Sequence, residues 1–507
     1  MDQSAPSRAV RRCGAAVWRL ARRSFTLDAR SLAAFRIGVG LILVADCLLR
    51  TRDFRLMFGA DGIFPPDTIR AFHGTAAKWS LALLDDGAWC GGGVLAAEGL
   101  AGLLLVAGWH TRAATVVGWA AVLSVIRRTS PAANAGDMWL ACQLFWAMFL
   151  PLGAVWSVDA RRDRHASGAP AAACSIATGA LVLQLAAVYL GAGLSKCNAA
   201  WLSGAAMSHA LSIHDHGTSL GMMLARIEWL TRGLTWLIPV AEITMPVLLV
   251  CCPGVRVRTF LVLAFMLFHA AIWLTMSVGL FAAIGLTAWL PLVPGAVWDR
   301  GRLAHGRLER DTAAVAGLGR TASAACGVAF ILAVTSFLHG LGLLGSTPLP
   351  QAVSAGIVAG GLEQAWSMFG DIPAQEQWVY GRARLADGRV VDLLRGGRPL
   401  EPERPAGGFG SLPHHRWHKF FWILPRPGVR MFGAPAAAAL ARDWNARHDA
   451  AAQVRSLEIR FATQSVTAPD ATLRDMLVAA WPPRGADGEG NLDRLLQSAT
   501  DGPEATR

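Results

Sequence analysis

Apolar runs of about twenty residues recur through the first two-thirds of the chain, with arginines gathered in alternate gaps between them. A helix of that length crosses a hydrocarbon core about 30 Å thick, so this pattern limits the fold more than any other feature. Nine stretches qualify, at 31–50, 91–108, 113–127, 137–153, 172–195, 233–252, 257–276, 278–294 and 322–345. Only 16% of the 507 residues are charged, against about a quarter in soluble proteins. The fold class expected is a polytopic α-helical membrane protein with about nine transmembrane helices.

The net charge of +12 belongs to topology and not to nucleic acid. Arg8, Arg11, Arg12, Arg19, Arg22, Arg23 and Arg30 precede the first span, and further arginines follow the second, fourth, sixth and eighth. Under a nine-span count these fall on one side, which places the N-terminus in the cytoplasm and the C-terminal region across the membrane. No small-residue cleavage site follows the basic N-terminus, so 1–30 reads as a cytoplasmic segment and not as a signal peptide. The nine cysteines are scattered and none lies beyond residue 346, so an exported tail would carry no disulfide frame.

The transmembrane region runs over 31–346, and 347–361 reads as a linker or weakly amphipathic segment. Composition then changes. Residues 362–480 read as an extracytoplasmic α+β, mainly β domain: a hairpin around Asp387–Gly388, an alanine-rich helix from Gly433, and an alternating strand "VRSLEIRFATQSVT". Residues 481–507 are polar and expected to be disordered. The loops 51–90 and 197–232 are long for connectors, lie on the side of the tail, and are expected to pack against it.

Ionisable residues at membrane depth are costly and face partners or cavities. Arg36, Asp46, Glu98, Lys196, Glu242, His269 and His339 fall in or at the ends of spans. Helix–helix ion pairing, for instance of Arg36 with Glu98 or Glu242, accounts for most of these. Lys196 differs. It is one of three lysines, with Lys78 and Lys419, in a chain holding 47 basic residues. An arginine never gives up its proton in a protein, whereas a desolvated lysine does. Tyr189 lies seven residues earlier on the same helical face, and Trp201 follows at an interface position. The alternative for Lys196 is a side chain snorkelling at a span end. His209, His214 and His216 offer imidazoles without a second ligand set, so no metal is expected. Walker, dinucleotide, G-x-S-x-G and H-E-x-x-H motifs are all missing.

Six segments occur in the order found in the HTTM family, named for a horizontally transferred transmembrane domain: "LAAFRIGVGLILVADCL", "MFGADGIF", "WSVDA", "AGLSKCNAAWLSG", "FHAAIWLTMSVGLF" and "WSMFGDIP". The resemblance covers about 28–425 and runs into the tail through Trp366, Met368, Phe369, Asp387, Gly388, Arg416 and Trp417. Arg36, Asp46, Trp156, Asp159 and Trp366 sit at family motif positions. The family includes vitamin K-dependent γ-glutamyl carboxylase, in which the lysine resembling Lys196 is the active-site base that deprotonates a quinol. The resemblance therefore implies a reduced quinone as cofactor (menaquinol, ubiquinol or vitamin K hydroquinone), Lys196 as catalytic base, and His269 in the same cavity. A peptide or small carbon acid would be the substrate, and a bacterial inner membrane the location. Two positions depart: a carboxylase histidine is Ala154 here, and an asparagine is Ile272. Both bear on glutamate carboxylation itself. The alternative is a non-catalytic HTTM protein, a scaffold or a peptide- or toxin-maturation partner. No nucleic-acid partner is expected; membrane lipid is.

Overall fold

The computed structural model of the protein describes residues 5–162, 171–212, 216–300, 315–370, 372, 375–401, 404–405, 408–465 and 473–483. His214, and the polar C-terminal stretch from 484 onward, lie outside the described residues. Helix α1 (Ala5–Phe25) leads into α2 (Ala29–Thr51), α3 (Ala88–Ala107), α4 (Thr111–Arg128), α5 (Ala135–Ala147) and α6 (Ile176–Ser195). Then come α7 (Glu228–Cys251), α8 (Val255–Thr275), α9 (Phe281–Trp289), α10 (Arg320–Gly340) and α11 (Gln351–Gly360).

Six of these helices, α2, α3, α6, α7, α8 and α10, are long and apolar enough to cross a membrane. The remaining expected spans also fold as helices but fall short of that standard. The 18-residue α4 carries Arg112, Arg127 and Arg128, while α5 and α9 have 13 and 9 residues. The linker stretch contains α11. Local sequence sets many boundaries: Ser175 and Thr178 form a capping box at the start of α6, and Asn134 with Asp137 does the same for α5. Leu27–Asp28, Ala172–Ala173 and Val315–Ala316 pair into a small sheet ahead of α2, α6 and α10, so these three start from one end of the bundle.

Large apolar side chains stay exposed along α7 and α8, among them Trp236, Leu237, Phe260, Leu263, Leu267 and Trp273. Contiguous exposure of this kind suits lipid contact and not water. Inside, α2 and α3 meet at glycines: a Cβ on Gly40 would stand 2.7 Å from the Gly102 carbonyl, and one on Gly102 2.8 Å from that of Gly40. Small residues let the backbones close to this distance.

The tail is a five-stranded antiparallel sheet of order β3-β2-β1-β4-β5, with β1 Gln375–Leu385, β2 Val390–Asp392, β3 Arg398–Pro399, β4 Val454–Ser465 and β5 Arg474–Trp481. The β1–β2 hairpin turns at Gly388, whose φ of 88° is the left-handed value expected of that dipeptide. Helices α12 (His415–Ile423) and α13 (Gly433–Asn445) cover it. The tail does not stand apart. Met57, Phe58, Ile63 and Phe64 share one hydrophobic cluster with Phe420, Phe421 and Phe432, and Phe64 meets Phe420 edge-on at 5.1 Å.

Candidate functional site

Lys196 occupies the position closing α6, just beyond its apolar run, and is only 4% exposed. Its Nζ donates to Glu242 Oε2 at 2.9 Å, Met368 O at 2.9 Å and Ala192 O at 3.2 Å. Three N–H donors meet three acceptors, and the charge meets the α7 carboxylate. The ammonium also lies 5.4 Å from the centre of the Trp201 ring, within cation–π range. The buried polar body and the carboxylate partner exclude a side chain reaching to headgroups.

The segment Trp366–Gly370 is strapped onto this lysine. Trp201 Nε1 donates to Phe369 O at 3.0 Å, and Asn198 Nδ2 donates to Gly370 O at 2.7 Å. Phe369 sits at φ 56°, a left-handed conformation costing a bulky residue about 1 kcal/mol or more. The three hydrogen bonds onto residues 368–370 hold it there. A Cβ on Gly370 would lie 2.7 Å from Ser195 Oγ, so only glycine allows the strap to seat.

Tyr189 forms a second group deeper along α6. Trp289 Nε1 donates to the phenol oxygen at 2.7 Å, and the phenol meets His269 Nε2 at 2.6 Å. With Trp289 as donor, the phenol proton points to Nε2 and the imidazole carries its own on Nδ1. His269 Nδ1 is buried without a hydrogen-bond partner among the described residues. No hydrogen bond there links Lys196 to Tyr189 or His269, so the residues singled out in the sequence form two adjacent groups and not one.

A third group was not anticipated. His216 packs against His418 of α12 with ring centres 4.5 Å apart and planes tilted by 33°, and also meets Phe369 at 5.6 Å. Burial pushes the His216 imidazole down to about 4 and that of His415 to about 3, and it holds His418 well below the usual range. Burial, with Arg426 nearby, lowers the Lys419 ammonium to about 8. His216 Nδ1 and His415 Nε2 are buried without hydrogen-bond partners among the described residues. The sequence singled out His216 as an imidazole, but not its partners in the tract "HHRWH" at 414–418. His209 is half-buried on the short helix Ala206–Ser212, and among the described residues no three metal-ligating side chains come together.

The family-motif residues have structural partners. Arg36 does not pair with Glu98 or Glu242: it donates to the carbonyls of Leu105 and Trp156, each at 2.6 Å. Leu105 O, in the last turn of α3, also accepts from the Gly108 amide, and its second lone pair gives Arg36 an acceptor that a carboxylate would otherwise have to provide. Asp159 accepts from the amides of His110 and Thr111 at the start of α4. Asp46 is ion-paired, as expected for the carboxylates, but across the bundle–tail boundary. Arg416 of α12 reaches Asp46 at 2.5 Å and Asp137 at 3.0 Å, while Arg50 holds Asp46 at 2.7 Å and Asp137 at 3.4 Å. Buried Glu98 adjoins Asp46. Trp366 Nε1 donates to Gln364 Oε1 at 2.6 Å, and Gln364 pairs with Gln184 of α6.

That amide pair marks one wall of a cavity of about 350 Å³ between α6, α7 and α10, otherwise lined by side chains such as Ala187, Leu190, Val247 and Phe337. The cleft is mostly apolar and opens among membrane helices. Leu190 brings it to within six residues of Lys196, about 9 Å along the helix.

Among protein families, the HTTM domain matches residues 93–298. No curated protein and no solved structure matches the chain.

Proposed function

Because this chain carries an HTTM domain, we propose that it is an integral membrane enzyme, similar to the vitamin K-dependent carboxylase, in which Lys196 is the base for quinol-dependent modification of a peptide or small carbon acid. The observation that carries the reading is the buried Lys196–Glu242 pair at 2.9 Å. Two opposite charges out of water are expensive to hold. Passing the proton from ammonium to carboxylate leaves two neutral groups and a free amine, the form a base needs. Arginine in the same place could not do this.

A reduced quinone, whether menaquinol, ubiquinol or vitamin K hydroquinone, would supply an acidic hydroxyl and two reducing equivalents. Ala187, Leu190, Val247 and Phe337 would hold its apolar part, and Lys196 would receive the hydroxyl proton. Trp201 would cover the amine and the Phe369 strap would keep water from it, while the Tyr189–His269 pair stands outside the lining of that cavity. No metal enters this scheme. We place the protein in a bacterial inner membrane. In that arrangement α4, α5 and α9 complete nine passes, the N-terminus is cytoplasmic and the tail extracytoplasmic.

One observation favours a second, non-catalytic reading, as a scaffold or peptide- or toxin-maturation partner. All three Lys196 donors are satisfied within the chain, so the ammonium also works as a pin for residues 366–370. The two readings part on Lys196→Arg and Lys196→Met in the purified full chain, assayed for oxygen-dependent oxidation of each quinol and for thermal unfolding. The enzyme reading expects wild-type turnover and a loss of roughly 10²-fold or more in both variants, with Lys196→Arg still folded. Turnover retained by Lys196→Arg, or none by the wild type with any quinol, sinks it.

A further inference from the structure

A cavity of about 740 Å³ lies at the far end of α6 from Lys196, where α1 ends and α7 turns into α8. Ala172, just ahead of α6, is in its wall, and twenty helical residues put it about 30 Å from the lysine. Its charged lining residues are Arg23, Asp28 and Arg258. Asp28 is already committed, since Arg30 holds it through a salt bridge of 2.9 Å. Arg258 is 8% exposed and donates only to backbone carbonyls, those of Ser24 and Thr26. No carboxylate pairs with it among the described residues, and its Nε has no hydrogen-bond partner. Arg23 is exposed at the same mouth. A buried guanidinium without a counter-charge, on the wall of a roomy cavity, leaves an anion to be supplied from outside.

The surroundings say which anion. Val255 lines the cavity, and the i, i+4 ridge of α8 that starts from it runs through half-buried Thr259 to the exposed Leu263 and Leu267. On the other flank α1 leaves Val17 and Trp18 exposed just ahead of the exposed arginines Arg19, Arg22 and Arg23. That mix is the signature of a helix lying in the headgroup layer. We infer that the cavity is a binding site for an anionic phospholipid, with the headgroup phosphate on Arg258 and Arg23 and an acyl chain along Val255, Leu263 and Leu267. This site is separate from Lys196, and its failure would leave the proposed chemistry untouched.

The test uses the full chain in a neutral maltoside detergent, titrated with phosphatidylglycerol, phosphatidylcholine or inorganic phosphate and followed by native mass spectrometry and thermal unfolding. Phosphatidylglycerol should bind and raise the unfolding temperature where phosphatidylcholine does not. Arg258→Gln and Arg23→Gln should each weaken that binding about tenfold, the scale of one charge-assisted hydrogen-bond set, while Arg256→Gln, exposed on the same turn but outside the cavity, should not. If Arg258→Gln fails to fold, exposed Arg23 still decides the matter. Equal binding of phosphatidylcholine overturns the proposal. So does an equal loss in Arg256→Gln, which would mean a diffuse basic surface. A full effect from inorganic phosphate alone would mean a site for a soluble anion, and overturns it too.

Discussion

Arg416→Gln is the most informative single change for the architecture. The guanidinium is 3% exposed and makes three hydrogen bonds to two carboxylates that are 4% and 7% exposed, Asp46 at 2.5 Å and Asp137 at 3.0 and 3.1 Å. Removing it leaves Arg50 alone to face both carboxylates, with Glu98 close by. Breaking a buried pair from one side costs about 3–5 kcal/mol, because the orphaned charge stays buried. Protonation of one carboxylate relieves part of this, so about 3 kcal/mol is the working figure. At 1.4 kcal/mol per decade, the amides of α12 should exchange roughly 150-fold faster in detergent. Arg416→Lys, which keeps the charge but loses the fork, should fall between. Hydrogen exchange read by mass spectrometry over 415–423 measures this directly. Protection within about threefold of the wild type would mean that apolar contacts such as Phe64–Phe420 carry the docking alone, and the electrostatic argument would be wrong.

Orientation can be read from native thiols: an impermeant maleimide should label exposed Cys197 and an introduced Arg384→Cys in intact cells, and Cys251–Cys252 only after lysis. The reverse pattern would invert the topology. Acid should loosen the tail through its neutral buried histidines. His216 and His415 bind fewer protons folded than unfolded, so their contribution is whole above the ordinary value of 6.5 and is lost as pH falls towards about 4 and about 3. The slope is up to about 1.4 kcal/mol per pH unit for each group. His216→Phe should flatten the acid limb of thermal stability between pH 6.5 and 4, and an unchanged slope would remove His216 from the account.

The membrane helices were legible because their signal is local: run length and low charge suffice for α2, α3, α6, α7, α8 and α10. The hairpin at Gly388, α13 and β4 were legible for the same reason. Strand β5 was not, because "LVAAW" at its end hides the period of two. Lys196 stood out by composition, yet its partner did not. Glu242 was visible as a carboxylate at membrane depth, but Pro239 and Pro246 lie inside the same helix, and prolines re-aim a helix face in ways periodicity cannot follow. Arg416 and Asp46 are 370 residues apart, and no spacing rule connects them. Arg36 was assigned a carboxylate because sequence lists charged partners and leaves out carbonyls at a helix end.

The tail's role follows from where these partners come from. Asp46 and Asp137 belong to the bundle, but half of their positive charge, Arg416, comes from α12. Lys196 closes a membrane helix, but one of its three acceptors, Met368 O, lies on the strap that leads into β1. His216 belongs to a bundle loop and packs against His418 of the tail. These three buried polar groups of the bundle are thus completed by groups from beyond residue 362. A polar group at that depth without its complement costs several kcal/mol. The composition change near residue 362 therefore marks a boundary in sequence and not in energy: bundle and tail satisfy one another's buried charges.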